Sequence, residues 1–198
     1  MLFRSAVEQE TWRLAARGVR VYSTFGDMLA ACRDSLDLVA IPTPIPLHAK
    51  MHAAATALGL PCYLEKPPSL DHAELERMIA ADTRSRRTSL VGFNFIIEPA
   101  RLALKRRLLA GEFGALRGAT LGARWPRPAG YFTRNDWAGR LIGADGRVIL
   151  DSCCGNAMAH FVHNLLFWAG GPDLFSWTNL SALRAELYRA HRIEGADT

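Results

Sequence analysis

Residues 36–43, LDLVAIPT, form a short apolar run that stops abruptly at proline and threonine. A run of this length is too short for a helix, and its Val and Ile suit a strand covered on both faces, as in parallel sheets. The flanking segments have helical periodicity. Upstream, Thr24 with Asp27 marks a helix start before MLAAC; downstream, a helix is predicted from about 46 to 58, closed by Gly59 and Pro61. The alternation continues with a strand in CYLEKP, a helix capped by Asp71 and Glu74 and carrying Leu75, Met78 and Ile79, and a strand at 89–94, SLVGFN. Residues 3–17 read as a helix stopped by Gly18, and 19–22, VRVY, as a short strand. Four strands separated by helices imply right-handed crossovers and a doubly wound parallel sheet.

Composition narrows the remaining classes. The chain has 198 residues, 49% of them hydrophobic and 22% charged, which excludes disorder and leaves room for one large domain or two modest ones. No run reaches the ~18 apolar residues of a membrane span, the longest candidate, 161–171, being broken by His163 and Asn164. The N-terminus lacks an apolar segment followed by a cleavage site, so a cytoplasmic address is expected. Four cysteines without a C-x-x-C spacing read as reduced thiols, with Cys153 and Cys154 taken as small buried hydrophobes rather than a redox pair. The net charge of +5 gathers in two clusters, Arg84-Arg86-Arg87 and Arg101-Lys105-Arg106-Arg107. Both lack interleaved aromatics and fall at a helix end and an exposed helix face, so solvated surface is favoured over nucleic-acid binding.

In parallel α/β sheets ligands sit beyond the C-terminal strand ends. That rule points to Thr43-Pro44, followed by His48, and to Glu65-Lys66-Pro67. Thr43 and Pro44 also suit a plain helix start. Lys66 reads either as half of a surface pair with Glu65 or as an ammonium held at a strand end, able to hydrogen-bond a substrate hydroxyl or stabilise developing alkoxide.

The second half changes character. EPARLALKRRLLAGEFG reads as a helix ending at Gly111, and 115–125, ALRGATLGARW, as the beginning of a strand. A long polar and aromatic stretch follows, with Tyr131, Arg134, Asn135, Trp137 and Arg140; it reads as a ligand-gripping loop or as an excursion packed by its own aromatics. NAMAHFVHNLLFWAGG reads as an amphipathic helix with Asn156, His160 and His163 on one face. The His-x-x-His pair lacks a third ligand at a workable spacing, so no metal is expected, and nothing resembles a serine nucleophile elbow.

Taken together, the Thr-Pro...His strand end, Glu-Lys-Pro, the VGFN strand, the helix ending AGEFG, YFTRNDWAGRL and AHFVHNLLFWAGG resemble the Gfo/Idh/MocA family of nicotinamide-dependent oxidoreductases. The resemblance covers most of the chain from Val19. It implies a Rossmann-type domain over 1–95 and an α+β substrate domain over 96–198, both incomplete, and hydride transfer between NAD or NADP and a secondary hydroxyl of a sugar or cyclitol. By the same resemblance Thr43, Pro44, His48, Glu65, Lys66 and Trp137 line the cofactor cleft. Lys66 and His160 become the catalytic pair, with Asn156 orienting; Asn94, Tyr131, Asn135 and His163 face the substrate. A homo-oligomer is expected of the full-length form.

The chain departs from the family pattern in two ways. Asn156 stands where relatives carry an aspartate, which leaves His160 less basic than in a carboxylate-paired site. The glycine-rich phosphate turn and the closing strands are missing, so the chain is expected to be a fragment of a longer protein, and a non-catalytic dinucleotide- or sugar-binding role is the alternative.

Overall fold

The computed structural model describes residues 13–144, 146, 149 and 151–186. Within them the chain is α/β. Helix α1 (Phe25–Cys32) starts where Thr24 accepts a hydrogen bond from the Asp27 amide, as the sequence predicts. Strand β1 (Val39–Ile41) follows, then α2 (Ile45–Ala57), β2 (Cys62–Leu64), α3 (His72–Ser85) and β3 (Leu90–Val91). The strands form a parallel three-stranded sheet in the order β1-β2-β3, with Val39 opposite Cys62 and Leu64 opposite Val91. The core is built from this unit: Leu29, Val39, Ile41, Ala55, Leu60, Cys62, Leu64 and Met78 are buried together.

The helix boundaries follow local chemistry. Asp71 accepts from the Glu74 amide to cap α3, and Gly59, at φ +72°, takes the left-handed conformation that ends α2. Gly92 answers a different need. Its amide donates to the Leu64 carbonyl at 2.7 Å, and a Cβ there would lie 3.0 Å from the Tyr63 hydroxyl and 3.2 Å from the Leu64 carbonyl, so any larger residue requires these neighbours to give way.

Several expectations fail for physical reasons. Residues 19–22 form no strand, since no neighbouring segment pairs with them among the described residues, and Val19 and Val21 stay exposed. In β1 only Val39 and Ile41 are buried while Ala40 is exposed, so among the described residues the run is covered on one face rather than both. Only Leu90–Val91 of the fourth predicted strand, 89–94, is paired; a 3-10 turn, Asn94–Ile97, takes over. Of the predicted helix over 3–17, residues 13–16 are helical and 3–12 lie outside the described residues.

After α4 (Pro99–Leu109) the chain runs without regular structure through 116–128, exposed nearly throughout, where a strand was expected; backbone without a pairing partner gains nothing from extended geometry. A short helix, α5 (Ala129–Phe132), and a turn lead to Arg140 and Leu141, whose carbonyls accept from the amides of Asp151 and Ile149. A π-type turn, Cys153–Ala157, precedes α6 (Ala159–Ala169). The predicted single helix is therefore split at Met158, and Asn156 lies outside the helix that carries His160 and His163.

Two further corrections concern polar side chains. Cys153 and Cys154 are exposed, not buried, because the π-type turn leaves them at its outer side; Cys32 and Cys62 are the buried thiols. Lys105, assigned from sequence to a solvated helix face, is fully buried. Its ammonium donates to the Phe167 carbonyl at 2.5 Å and to the Gly170 carbonyl, binding the C-terminal end of α6, where the helix dipole favours a cation.

Candidate functional site

The loop after β2 sets the position of Lys66. Glu65 remains tied to the sheet through its amide, which donates to Ile41 O at 3.2 Å, so Lys66 leaves a fixed strand end. Its side chain turns away from Glu65 and reaches the π-type turn, where Nζ donates to Asn156 O at 3.0 Å and to Asn156 Oδ1 at 2.9 Å. The Glu65 carboxylate instead accepts from the Lys66 amide at 3.2 Å. A lysine ammonium has three N–H donors, and among the described residues only two of them are engaged here. Burial lowers the Lys66 pKa from the ordinary lysine value, an effect partly offset by the carboxylates of Glu65 and Asp151.

His160 is held by aromatic packing. Its imidazole stacks on Phe95 at 4.0 Å and meets Phe93 edge-on at 5.8 Å, while His163 lies on Phe93 at 4.1 Å. The turn that follows β3 thus supplies both platforms, and Asn94 sits exposed between them. Both Nδ1 atoms are buried without a hydrogen-bond partner. Burial lowers the His160 pKa, and the charges of Lys66 and Arg101 lower it further against an opposing pull from Glu65. His163 is pushed down to about 4, by burial first and by His160 second. His160 is therefore less basic than an ordinary histidine, through burial and two neighbouring cations.

The Thr43-Pro44 end is organised by His48. This fully buried imidazole places Nε2 2.7 Å from Thr43 O and Nδ1 3.0 Å from Pro67 O, joining the turn after β1 to the segment after Lys66. Both nitrogens are engaged inside the protein, so His48 shapes the cleft rather than presenting an atom to it. Pro44 acts as the N-cap residue of α2, without a side-chain cap; Thr43 Oγ1 points to Met51 Sδ at 3.5 Å. Pro44 and Pro46 then face Trp137 across a cleft of about 350 Å³ that Asp136, Gly143 and Ile149 complete.

The aromatic loop is packed by stacking. Tyr131 lies between the guanidinium groups of Arg127 at 4.8 Å and Arg134 at 3.8 Å, and Arg134 also approaches Trp137 at 5.4 Å. Asn135 Oδ1 accepts from the amides of Trp137 at 3.2 Å and Ala138 at 2.7 Å, so it shapes the turn that presents Trp137. The fold thus brings Lys66 onto Asn156 and Pro44 against Trp137, while Tyr131 and Asn135 serve the loop's own packing.

Sequence reading missed Asp151. Its carboxylate is 6% exposed and accepts from Asn156 Nδ2 at 2.6 Å and from the Gly139 amide at 2.7 Å. The available signal was an acidic residue just before the Ser152 cap of the turn that holds Asn156. Among the described residues no group of three His, Cys, Asp or Glu can hold a metal, and no helix is long and apolar enough to cross a membrane.

No family model matches the chain. It is 26% identical over 152 residues to the inositol 2-dehydrogenase of Rhizobium meliloti, covering 66% of this chain and 46% of that protein. It is 33% identical over 103 residues to the inositol 2-dehydrogenase of Leifsonia xyli subsp. xyli, covering 52% of this chain and 30% of that protein. In fold it is similar to the WlbA dehydrogenase from Bordetella pertussis, solved in complex with NADH and UDP-GlcNAcA, with TM-score 0.64 and 24% identity over 84% of this chain and 45% of that one. The chain spans less than half the length of each of these proteins. In sequence and in fold, the relatives of this chain are oxidoreductases of the Gfo/Idh/MocA type, the family its motifs resemble.

Proposed function

We propose that the chain contributes the lysine-histidine site of a dehydrogenase that moves a hydride between NAD or NADP and a secondary hydroxyl of a sugar or cyclitol. The observation that carries this reading is the Lys66 ammonium, fixed at a parallel strand end by two bonds to Asn156 that engage two of its three donors. A nicotinamide group needs an open slot, and the cleft between Pro44, Pro46 and Trp137 opens at the end of β1, the strand that pairs with the one preceding Lys66. Thr43, Pro44 and Trp137 would line it, with Glu65 and Lys66 at the adjoining strand end. The nicotinamide supplies the hydride acceptor or donor when bound.

The chain's own groups handle the proton. Lys66 hydrogen-bonds the substrate oxygen and favours its alkoxide character. His160, neutral near pH 7 because of its surroundings, is free to take the hydroxyl proton. Asn156 holds Lys66, and Asn94 and His163 lie beside His160 on the substrate side, while Tyr131 and Asn135 act only through the shape of the loop that presents Trp137. The two-part organisation at about residue 95 follows from the same reading. Exposed Phe113, Leu116, Trp125 and Phe175 in the second part support self-association.

The test is titration with NADH, monitored by energy transfer from the tryptophans, followed by turnover with NAD or NADP and myo-inositol or a sugar panel. Binding together with formation of reduced cofactor supports the proposal. Binding without turnover on any polyol assigns the chain a sensing role, and absence of both removes the dehydrogenase reading.

A further inference from the structure

We propose that Asp151 is the positioning residue of this site, a buried carboxylate that sets the orientation of the Asn156 amide and through it the position and charge of Lys66. The proposal deepens the dehydrogenase reading and rests on it only for its kinetic part.

A side-chain amide has a donor end and an acceptor end, and the two cannot be exchanged without loss. Asp151 Oδ1 accepts from Asn156 Nδ2 at 2.6 Å, which turns Asn156 Oδ1 toward Lys66 Nζ at 2.9 Å. Rotating the amide by half a turn would aim two donors at each other on the lysine side and two acceptors at each other on the aspartate side. The carboxylate thus decides which face of Asn156 the lysine meets. Its other oxygen is fixed by the Gly139 amide at 2.7 Å, and its own amide donates to Arg140 O at 3.0 Å, so the carboxylate is anchored from both sides.

The arrangement also explains how a site with asparagine at position 156 keeps a negative charge near its cation. Asp151 is 6% exposed, and a buried carboxylate needs compensation. The amide passes that compensation to Lys66 without closing a direct ion pair that would immobilise the ammonium. The charged and titratable groups acting on Lys66 are Glu65, Asp151 and His160.

The lysines of the chain are Lys50, Lys66 and Lys105, so labelling with [ε-13C]lysine gives a spectrum simple enough to follow Lys66 directly, assigned by its loss in Lys66→Arg. In Asp151→Asn the Lys66 titration is expected to move to lower pH by about one unit, the size expected for removing a nearby opposite charge. Asn156→Ala, which leaves the carboxylate and removes the amide, is expected to move it in the same direction and guards against misfolding of the first variant. Asp151→Glu should restore part of the shift. An unmoved Lys66 titration in folded Asp151→Asn and Asn156→Ala overturns the proposal, whether or not the protein turns over any substrate. Where turnover with NAD and myo-inositol is measurable, Asp151→Asn should lower kcat about tenfold or more, with KM for NAD little changed. Failure of that assay alone counts against the dehydrogenase reading and leaves the NMR result to judge Asp151.

Discussion

The imidazole of His163 lies flat against the ring of Phe93, with centroids 4.1 Å apart and planes inclined by 5°. Nδ1 of this ring is buried without a hydrogen-bond partner, and burial first and the neighbouring His160 second push the pKa of His163 from 6.5 down to about 4. Above pH 6.5 the ring is neutral in the folded and unfolded states and contributes no pH dependence. As pH falls below 6.5, the unfolded chain takes up a proton that the folded chain refuses until about pH 4, so stability falls across that window. Urea midpoints at pH 7.5 and pH 5 should therefore diverge less in His163→Phe than in the parent protein. Equal divergence would show that His163 does not titrate this way.

Lys105 makes a different prediction. Its buried ammonium binds the Phe167 and Gly170 carbonyls and lies 5.1 Å from the centre of the Phe167 ring. Lys105→Ala removes the donor and leaves a cavity, which should cost about 3 kcal/mol in urea unfolding. Lys105→Met refills the space without the charge and should recover part of the loss. A change within experimental error for the alanine variant would place this side chain in solvent.

The kinetic prediction concerns His160. Replacement by alanine should lower turnover by about 10²- to 10⁴-fold, the usual contribution of a positioned acid or base. NADH affinity, read by tryptophan energy transfer, should stay within about threefold, since the proposed role of the ring is toward the substrate and it does not line the Pro44–Trp137 cleft. Because its pKa is lowered by burial and by Lys66 and Arg101, against Glu65, the acid limb of kcat/KM should fall below pH 6.5. A limb at or above that pH would assign the titration to another group.

Crowding at Gly92 gives a test of packing. An added Cβ meets the Tyr63 hydroxyl at 3.0 Å and the Leu64 carbonyl at 3.2 Å. Gly92→Ala should destabilise by about 1 to 3 kcal/mol, as overpacking does. Combining it with Tyr63→Phe removes the hydroxyl and should return part of that cost. Strict additivity in denaturant unfolding would mean that the two sites do not touch.

Local chemistry was well marked in the sequence. The caps at Thr24 and Asp71, the stop at Gly59 and the polar ends of the apolar runs each depend on residues a few positions apart, and each lies where the pattern puts it. Lys66 was legible for the same reason, since a charged residue at a strand end has few places to go. Long-range electrostatics was not legible. The burial of Lys105 depends on carbonyls of Phe167 and Gly170, more than sixty residues away, and periodicity within its own helix does not reveal them. The segments at 19–22 and 115–125 show that strand propensity is a conditional property, realised only where another backbone lies alongside. Asp151 escaped notice because the π-type turn, not helical spacing, brings it to Asn156.

The imidazole of His48 spans Thr43 O and Pro67 O, at 2.7 Å and 3.0 Å. A rigid aromatic ring has no torsion of its own to absorb a change in that gap, so the mouths of two neighbouring strands keep a constant spacing whatever their outer side chains do. In the proposed reading a ligand entering at these turns would fill a frame of preset width, and any adaptation would fall to the Trp137 loop on the opposite wall of the cleft.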